Sequence, residues 1–291
     1  MSISVCIFAR NEERLLPFCI GALAPAGLRP SDQIHILVNG CSDNTATVAR
    51  ALAAANSQIE VHELPVGDKA NAWNEYTHRI SGVGSSAHVF LDGDIIPSAG
   101  SITALAKELT DNPELFAAAA LPASGRSRKR WARTLLVHNY LSGNLYAMSK
   151  AAIERFRSMN LRLPFGAKGE DGLLSYLLLT DLKAGEDDSH AYRITTAKGA
   201  TFEFESLNLN IRDFSIYRRR RRRYSERHFQ KQILYRMLKK RGLGAIPENI
   251  SEIYTAEAIA NLRPRLEPVN FWFDLLTLRR LQNGSQSSVE T

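Results

Sequence analysis

The chain has 291 residues, of which 44% are hydrophobic, so it can bury a large core in one domain or in one domain with an extension. Its net charge of +7 comes from the C-terminal part. Residues 210–291 hold 17 Lys and Arg against 8 Asp and Glu, a net of +9, whereas residues 1–209 hold 20 against 22, a net of −2. This asymmetry indicates an anionic partner for the C-terminal part, such as a membrane surface, a diphosphate or a nucleic acid.

The cysteines and the first residues bear on the cellular compartment. Cys6, Cys19 and Cys41 are odd in number and lack metal-ligand spacing, which predicts buried thiols in a reducing compartment. The chain begins in a strand-like segment without a basic leader, so we expect no signal peptide. No apolar run approaches the ~20 residues of a transmembrane helix. We therefore expect a cytoplasmic protein, or one that is peripheral on the inner face of the cell membrane.

The first ninety residues alternate between strand-like and helix-like segments. The predicted strands are 3–8, 34–38, 59–64 and 89–91, and predicted helices follow the first three. This alternation predicts an α/β fold with a mostly parallel, Rossmann-like sheet and flanking helices. Each strand ends in a polar loop, so these loops should cluster at one edge of the sheet, where such folds bind ligands.

The motif Asp92-Gly93-Asp94 ends the fourth of these strands. Strand alternation places Asp92 and Asp94 on one face, and Gly93 permits close approach to the backbone. Two carboxylates of this kind suit Mg²⁺ or Mn²⁺, which complete their shells with substrate phosphates. The alternative is a surface Asp-Gly turn without a ligand.

The middle of the chain contains a second acidic motif. A helix at 100–112, a strand at 116–121, a basic segment at 125–133 and a strand at 141–148 precede it. The basic segment is either a solvated run of charge or a gate that binds acceptor. Glu170 and Asp171 then open a helix at about 173–182, where acids are often only partners of the helix dipole. The glycines at 166, 169 and 172 favour close approach of a ligand instead, and strands at 192–196 and 201–204 follow.

The composition changes beyond Ile211. A basic helical stretch at 217–241 contains six consecutive arginines, Arg218–Arg223. The segment 269–280 predicts an amphipathic helix that either lies in a membrane interface or packs on the catalytic domain. Its apolar side chains Phe271, Trp272, Leu275 and Leu278 should lie close to one side. We expect a catalytic domain at 1–210 and a basic helical extension at 211–291, disordered from about 284.

Five segments, in this order, resemble motifs of glycosyltransferase family 2, whose members have the GT-A fold. Residues 9–13, Ala-Arg-Asn-Glu-Glu, resemble the family's nucleotide loop after the first strand. Residues 39–45 resemble its D-D-G-S-x-D-x-T loop, with Val38 and Asn39 in place of the paired acids. Residues 68–74 resemble G-K-x-x-A-x-N, with Asp68 in place of the first Gly. Residues 92–94 match D-x-D, and residues 169–171 match the E-D motif.

A further segment in the arginine run extends the resemblance to about residue 225. Arg220-x-x-Arg223-Tyr224 resembles the family's Q/R-x-x-R-W motif, with Tyr in place of Trp. The six consecutive arginines allow more than one register for this motif.

The resemblance implies specific roles for these residues. Asp92 and Asp94 would hold Mn²⁺ or Mg²⁺ against the donor diphosphate. Asp171, beside Glu170, would be the catalytic base for a single displacement that inverts the anomeric carbon. The residues implied in nucleotide-sugar binding are Ala9, Arg10, Asn11, Glu12, Asn39, Lys69, Asp92, Gly93, Asp94, Arg220 and Arg223.

The sequence therefore predicts a metal-dependent inverting glycosyltransferase, a hexosyl- or N-acetylhexosaminyltransferase, with a UDP-sugar as the favoured donor. The basic, aromatic C-terminal region favours a lipid or lipid-linked glycan acceptor at a membrane surface. A soluble saccharide is the second choice of acceptor. A sugar-phosphate nucleotidyltransferase of related fold is a rival, but Ile7–Asn11 lacks the Gly-rich loop expected of it. A nucleic-acid-binding module is the least favoured, because few aromatic residues interleave with the arginines.

Overall fold

The computed structural model describes residues 2–82, 84–185, 192–205 and 211–287, with the side chains of 211–213 and 284–287 left out. An eight-stranded mixed sheet forms its centre. The strands are β1 (Ile3–Ala9), β2 (Gln33–Asn39), β3 (Ile59–Leu64), β4 (Ala87–Asp92), β5 (Ile95–Pro97), β6 (Ala117–Pro122), β7 (Leu145–Ser149) and β8 (Ile194–Phe204).

Helices lie on both sides of this sheet. They are α1 (Leu16–Leu23), α2 (Thr45–Ala55), α3 (Lys69–Glu75), α4 (Ser101–Asp111), α5 (Arg128–His138), α6 (Lys150–Ser158), α7 (Glu170–Leu179), α8 (Ile211–Arg241), α9 (Ala256–Ala260) and α10 (Pro268–Ser287). A π-helical turn at Tyr76–Ile80 continues α3. None of the helices within the described ranges is long and apolar enough to cross a membrane.

The sheet order is β3-β2-β1-β4-β7-β6-β8-β5. Strands β3, β2, β1 and β4 are parallel, as predicted, and β6 is parallel to β8. Strand β7 is antiparallel to both β4 and β6, and β5 is antiparallel to β8. The carboxyl ends of the four parallel strands therefore meet at one edge of the sheet. At this edge the amide of Gly93, after β4, donates to the carbonyl of Phe8 on β1 at 2.9 Å.

Strand β1 is buried on both faces of the sheet. All seven of its residues are buried, and their side chains divide between two hydrophobic clusters on opposite faces. Cys6 and Phe8 belong to one cluster and Val5, Ile7 and Ala9 to the other. Such a continuous apolar run is typical of a parallel strand covered on both sides.

The C-terminal part packs into the same core as the sheet domain. Phe229, Ile233 and Leu234 of α8 are buried in one cluster with Leu173 and Leu174 of α7. The predicted boundary at residue 210 therefore marks a change in composition, while α8 itself is part of the main core. Helix α10 packs along α8, where the hydroxyl of Ser225 donates to the carbonyl of Phe273 at 3.2 Å.

Several local predictions differ from the structure. The basic segment at 125–133 belongs largely to α5, which buries Leu135 alone of its residues. The two predicted strands at 192–196 and 201–204 are one strand, β8, whose pairing with β6 shifts register between Ala119 and Leu121. Helix α10 continues to Ser287, past the predicted start of the tail at about 284. The last four residues of the predicted tail, 288–291, lie outside the described ranges.

Candidate active site

Asp68 joins three loops at the carboxyl edge of the sheet. Its amide donates to Oδ1 of Asn39 at 3.0 Å. Its own carboxylate accepts from the amide of Asn71 at 2.7 Å, which caps α3, and from the amide of Gly166 at 2.9 Å. Asp68 is buried, so these hydrogen bonds hold the second-strand loop and the loop before α7 together. From the family resemblance, Asp68 is only a replacement for the first glycine of the motif. An Asp directly before a helix is also a typical N-cap residue, and this local signal predicts the cap.

The predicted nucleotide loops lie side by side. The guanidinium of Arg10 donates to the carbonyl of Gly67 at 2.8 Å, and the amide of Ser42 donates to Oδ1 of Asn11 at 2.9 Å. Gly40 has a positive φ of 58°, and a Cβ there would lie 2.2 Å from the amide nitrogen of Gly67. The loops after β1, β2 and β3 therefore form one continuous rim.

Lys69 connects the two acidic motifs. Its Nζ atom lies 2.5 Å from Oδ1 of Asp92 and 3.0 Å from Oε1 of Glu170, and it donates to the carbonyl of Gly143 at 2.9 Å. Burial opposes the charged form, but Asp92 and Glu170 raise the pKa of Lys69 above its usual value. The first acid of the D-x-D motif and the first acid of the E-D motif are thus bound to one ammonium group.

Asp94 is left without such a partner. It is half-buried, and it makes no ion pair or hydrogen bond with any residue in the described ranges. Burial, followed by the nearby carboxylates of Asp94 and Asp92, raises the pKa of Glu12 to about 8. Burial likewise raises the pKa of Asp92 to about 7, against the opposing effect of Lys69. Carboxylates this close with too little positive charge fit a hard divalent cation bound by oxygen.

Asp171 faces an arginine from α8. Its Oδ1 atom lies 2.9 Å from Nη2 of Arg227, and the carboxylate retains 18% of its exposure. Gly169 has a φ of 79°, and a Cβ there would lie 2.2 Å from Nε of Arg227. The absence of a side chain at Gly169 therefore leaves space for Arg227. The sequence predicted that these glycines leave space for a ligand. Beside it, the hydroxyl of Tyr235 donates to the carbonyl of Gly172 at 2.6 Å.

Arg220 and Arg223, the arginines that the sequence nominates, lie on the same helix, about two turns and one turn before Arg227 respectively. Within the described ranges neither makes an ion pair with Asp92, Asp94, Glu170 or Asp171. Arg227 follows Arg223 by four residues and Arg220 by seven, so all three lie near one face of α8. The structure thus brings Arg227, an arginine that the sequence did not nominate, to the acidic edge of the sheet.

A pocket lined by Arg227 is cationic and aromatic. The Nζ atom of Lys231 lies 5.1 Å from the ring centroid of Tyr235 and 5.9 Å from that of Tyr140. Burial, and then the charge of Arg227, lower the pKa of Lys231. Lys168 lines the same pocket as Arg227 and Lys231. The carboxylates of Asp171 and Glu170 act on Arg227, and that of Asp171 also acts on Lys231, so these two acids partly offset the charge of the three cations.

The fold and these motifs define a class of protein. The sequence pattern of glycosyl transferase family 2 matches residues 4–167, more than half of the chain. The chain therefore belongs to glycosyl transferase family 2, and its fold is GT-A, as the resemblance implied. Membership of this family identifies the chain as a glycosyltransferase. A comparison with curated proteins gave no significant match.

Solved structures share the fold at low sequence identity. The mannosyltransferase PcManGT from Pyrobaculum calidifontis, in complex with GDP-Man and Mn²⁺, has a TM-score of 0.61 and 16% identity, over 98% of this chain and 86% of that one. TarS residues 1–349 from S. aureus, with UDP-GlcNAc, has a TM-score of 0.53 and 13% identity, over 99% and 92%. Glucosyl-3-phosphoglycerate synthase from Mycobacterium tuberculosis, with Mn²⁺, UDP-Glc and phosphoglyceric acid, has a TM-score of 0.52 and 21% identity, over 78% of each.

Proposed function

We propose that this protein transfers a sugar, a hexose or an N-acetylhexosamine, from a nucleotide-sugar to a hydroxyl group with inversion, and that it needs Mn²⁺ or Mg²⁺. The observation that carries the proposal is the meeting of two carboxylates in different settings. Asp94 has no partner within the described ranges, while Asp171 is held by Arg227 at 2.9 Å. One carboxylate is free for a cation, and the other is held by an arginine that lines a separate pocket.

The donor side is supported by the residues and by the neighbours. PcManGT binds GDP-Man with Mn²⁺, and glucosyl-3-phosphoglycerate synthase binds UDP-Glc with Mn²⁺. In this chain Asp94 would hold the cation, with Asp92 and Glu12 as the nearby carboxylates. When bound, a divalent cation neutralises the negative charge of the leaving diphosphate. We favour a UDP-sugar, which is the donor in two of the three neighbours.

We assign the acceptor side to the pocket lined by Arg227, the ion-pair partner of Asp171. As the acceptor oxygen attacks the anomeric carbon, its proton passes to the Asp171 carboxylate. The bond between the anomeric carbon and the diphosphate oxygen breaks, and its electron pair leaves with the nucleoside diphosphate. Arg227 fixes the orientation of Asp171, and Lys69 fixes Glu170 beside it. Holding these groups in place contributes to the rate because the reactants then meet in a productive geometry.

The charge around this pocket favours an acceptor that carries phosphate. Lys231, Arg227 and Lys168 line this pocket; Arg227 is paired with Asp171, and a phosphate would balance the charge of the two lysines. A phospholipid head group or a lipid-linked glycan supplies such a phosphate, in line with the lipid acceptor that the sequence favours. A neutral, soluble saccharide would bring no negative charge to Lys168 and Lys231.

The outer face of α10 supports a membrane location for that acceptor. Val269, Trp272 and Leu276 recur at helical spacing and are exposed, with Trp272 63% exposed, and Leu266 just before the helix is 90% exposed. Arg279 continues the same face. The predicted set needs one correction, because Leu278 packs against the core. The apolar face with adjacent arginines fits an anionic lipid surface.

A donor scan tests the proposal. Purified protein with Mn²⁺ is incubated with a panel of UDP- and GDP-sugars and either a lipid extract or a set of soluble saccharides, and released nucleoside diphosphate is measured together with the mass of the product. We expect one donor to give a glycosylated lipid, and Asp94→Asn to abolish it. The matched control is Asp111→Asn, an exposed aspartate paired with Lys107 on α4. Product from a soluble saccharide alone would sink the lipid acceptor, and absence of release with every donor would sink the transferase.

A further inference from the structure

Two histidines and a glutamate converge at the edge of the sheet away from β4. His35 lies on β2, and Glu60 and His62 lie on the neighbouring strand β3, where Glu60 is the register partner of His35. Because Glu60 and His62 are two residues apart on a strand, they lie on one face. The ligand atoms that the three side chains offer all lie within 4.8 Å of one another.

The spacing of these atoms matches that of metal ligands. Nδ1 of His35 lies 3.2 Å from Nε2 of His62 and 3.5 Å from Oε2 of Glu60. Nε2 of His62 lies 3.7 Å from Oε1 of Glu60. Zinc ligands sit about 2.0–2.2 Å from the ion in a tetrahedron, which places ligand atoms roughly 3.4 Å apart. The three groups therefore need only small adjustments to share one ion.

The chemical state of the histidines also suits a metal. His35 is buried and His62 is half-buried, and the neutral imidazole is the form that binds metals. Nε2 of His35 is buried and has no hydrogen-bond partner within the described ranges. With the His35 proton on Nε2, Nδ1 offers a lone pair, and a shared ion would replace the present contact between Nδ1 of His35 and Nε2 of His62. The Glu60 side chain is 66% exposed and provides a path for an ion from solvent.

We infer that His35, His62 and Glu60 form a second metal site, which takes Zn²⁺ or a similar late first-row cation with a water in the fourth position. Two imidazoles select such cations, whereas the carboxylates at Asp94 suit Mn²⁺ and Mg²⁺. The site is separate from the proposed catalytic edge. His35 lies on β2, two strands away from β4 and roughly 10 Å across the sheet, and it is level with Phe90 of that strand. A bound ion would fasten the edge strand β3 to β2, and both strands lead into the nucleotide loops. This inference does not depend on the proposed function.

Metal binding to the purified, chelator-treated protein tests the inference. Zn²⁺ binding is measured by calorimetry with Mg²⁺ in excess, and Co²⁺ binding by the visible absorption that tetrahedral nitrogen and oxygen ligation produces. The test variants are His62→Gln and Glu60→Gln, which lie nearer the surface than His35 and so put less of the core at risk. The control variant is Asp94→Asn, which removes the carboxylate proposed to hold Mn²⁺ or Mg²⁺ and leaves this cluster intact.

We expect one Zn²⁺ per chain in the wild type and in Asp94→Asn, with a higher unfolding temperature when Zn²⁺ is present. His62→Gln should weaken binding by at least ~100-fold, the upper end of the loss when even an outer-shell partner is removed. Two results would overturn the site. One is equal Zn²⁺ affinity in the wild type and His62→Gln. The other is absence of Zn²⁺ and Co²⁺ binding in the wild type, which would leave His35 and His62 as a hydrogen-bonded pair.

Discussion

Nη2 of Arg227 lies 2.9 Å from Oδ1 of Asp171, between helices α8 and α7. This ion pair connects the C-terminal basic helix to the acid that the family resemblance nominates as the base. The glycine at 169 makes it possible, because any Cβ there would collide with the guanidinium. The arginine-rich helix thus contributes to the site through one residue that lies outside the run of six.

Arg227→Gln should lower turnover by about 100-fold, the loss expected when a reacting group is displaced by about an ångström. The KM for the donor should change little, because Arg227 contacts the base. Arg223→Gln is the matched control, since Arg223 is exposed on the same helix face. Steady-state kinetics of both variants decide between them. A large loss in Arg223→Gln with normal turnover in Arg227→Gln would restore the register that the sequence suggested.

Asp94→Asn should weaken Mn²⁺ binding by at least ~10-fold, because a neutral amide replaces a carboxylate that has no other partner within the described ranges. Calorimetric titration of Mn²⁺ into the chelator-treated protein measures this, with Asp111→Asn as the control. Full activity of the wild type in excess chelator would contradict the metal requirement. Unchanged Mn²⁺ affinity in Asp94→Asn would move the ion to other carboxylates.

The β-α alternation and the parallel strands could be predicted because buried strands and amphipathic helices leave a periodic pattern in the sequence. The antiparallel course of β7 could not, because pairing direction depends on where a strand returns to the sheet. Asp92, Asp94, Glu170 and Asp171 were recognised as motifs by their order along the chain.

Three features of the site depend on distant parts of the chain meeting, and the sequence did not contain them in any local pattern. Arg227 reaches Asp171 across 56 positions, and Asp68 reaches Gly166 across 98. Lys69 was nominated for the nucleotide, yet it binds Asp92 and Glu170 in the structure. The register of Arg220 and Arg223 was open because six identical residues give no local signal.

The stability of the protein should depend on pH through His88. This side chain is buried, and burial, followed by the charge of Arg157, lowers its pKa to about 4. Between about pH 6.5 and pH 4 the unfolded chain binds a proton that the folded protein rejects, so stability falls as the pH falls. The contribution reaches about 3 kcal/mol across this window.

Urea unfolding at about pH 7 and about pH 4.5 isolates this effect by comparing variants. The free energy of unfolding of His88→Gln should fall less on acidification than that of the wild type. His138→Gln, a substitution at an exposed histidine, should behave like the wild type. A pH dependence that is identical in His88→Gln and the wild type would assign acid sensitivity to other groups.

Trp272→Ala should weaken binding to anionic vesicles by about 10- to 100-fold, because burying a large apolar side chain is worth about 1.5–3 kcal/mol. Phe18→Ala is the control, since Phe18 is 62% exposed against 63% for Trp272 and lies on α1. Co-sedimentation should also weaken as salt rises, because screening shortens to ~3 Å at 1 M. A wild type that stays in the supernatant at low salt would contradict the membrane surface.

The most direct test of the account is the turnover of Asp171→Asn, measured beside its affinity for the donor. The amide has nearly the same shape as the carboxylate but cannot accept the acceptor proton. We expect turnover to fall at least ~100-fold, the low end for loss of a general base, with donor affinity within a few-fold of the wild type. Asp111→Asn should match the wild type in both. Near-normal turnover in Asp171→Asn would contradict the account and place the base elsewhere, first at Glu170.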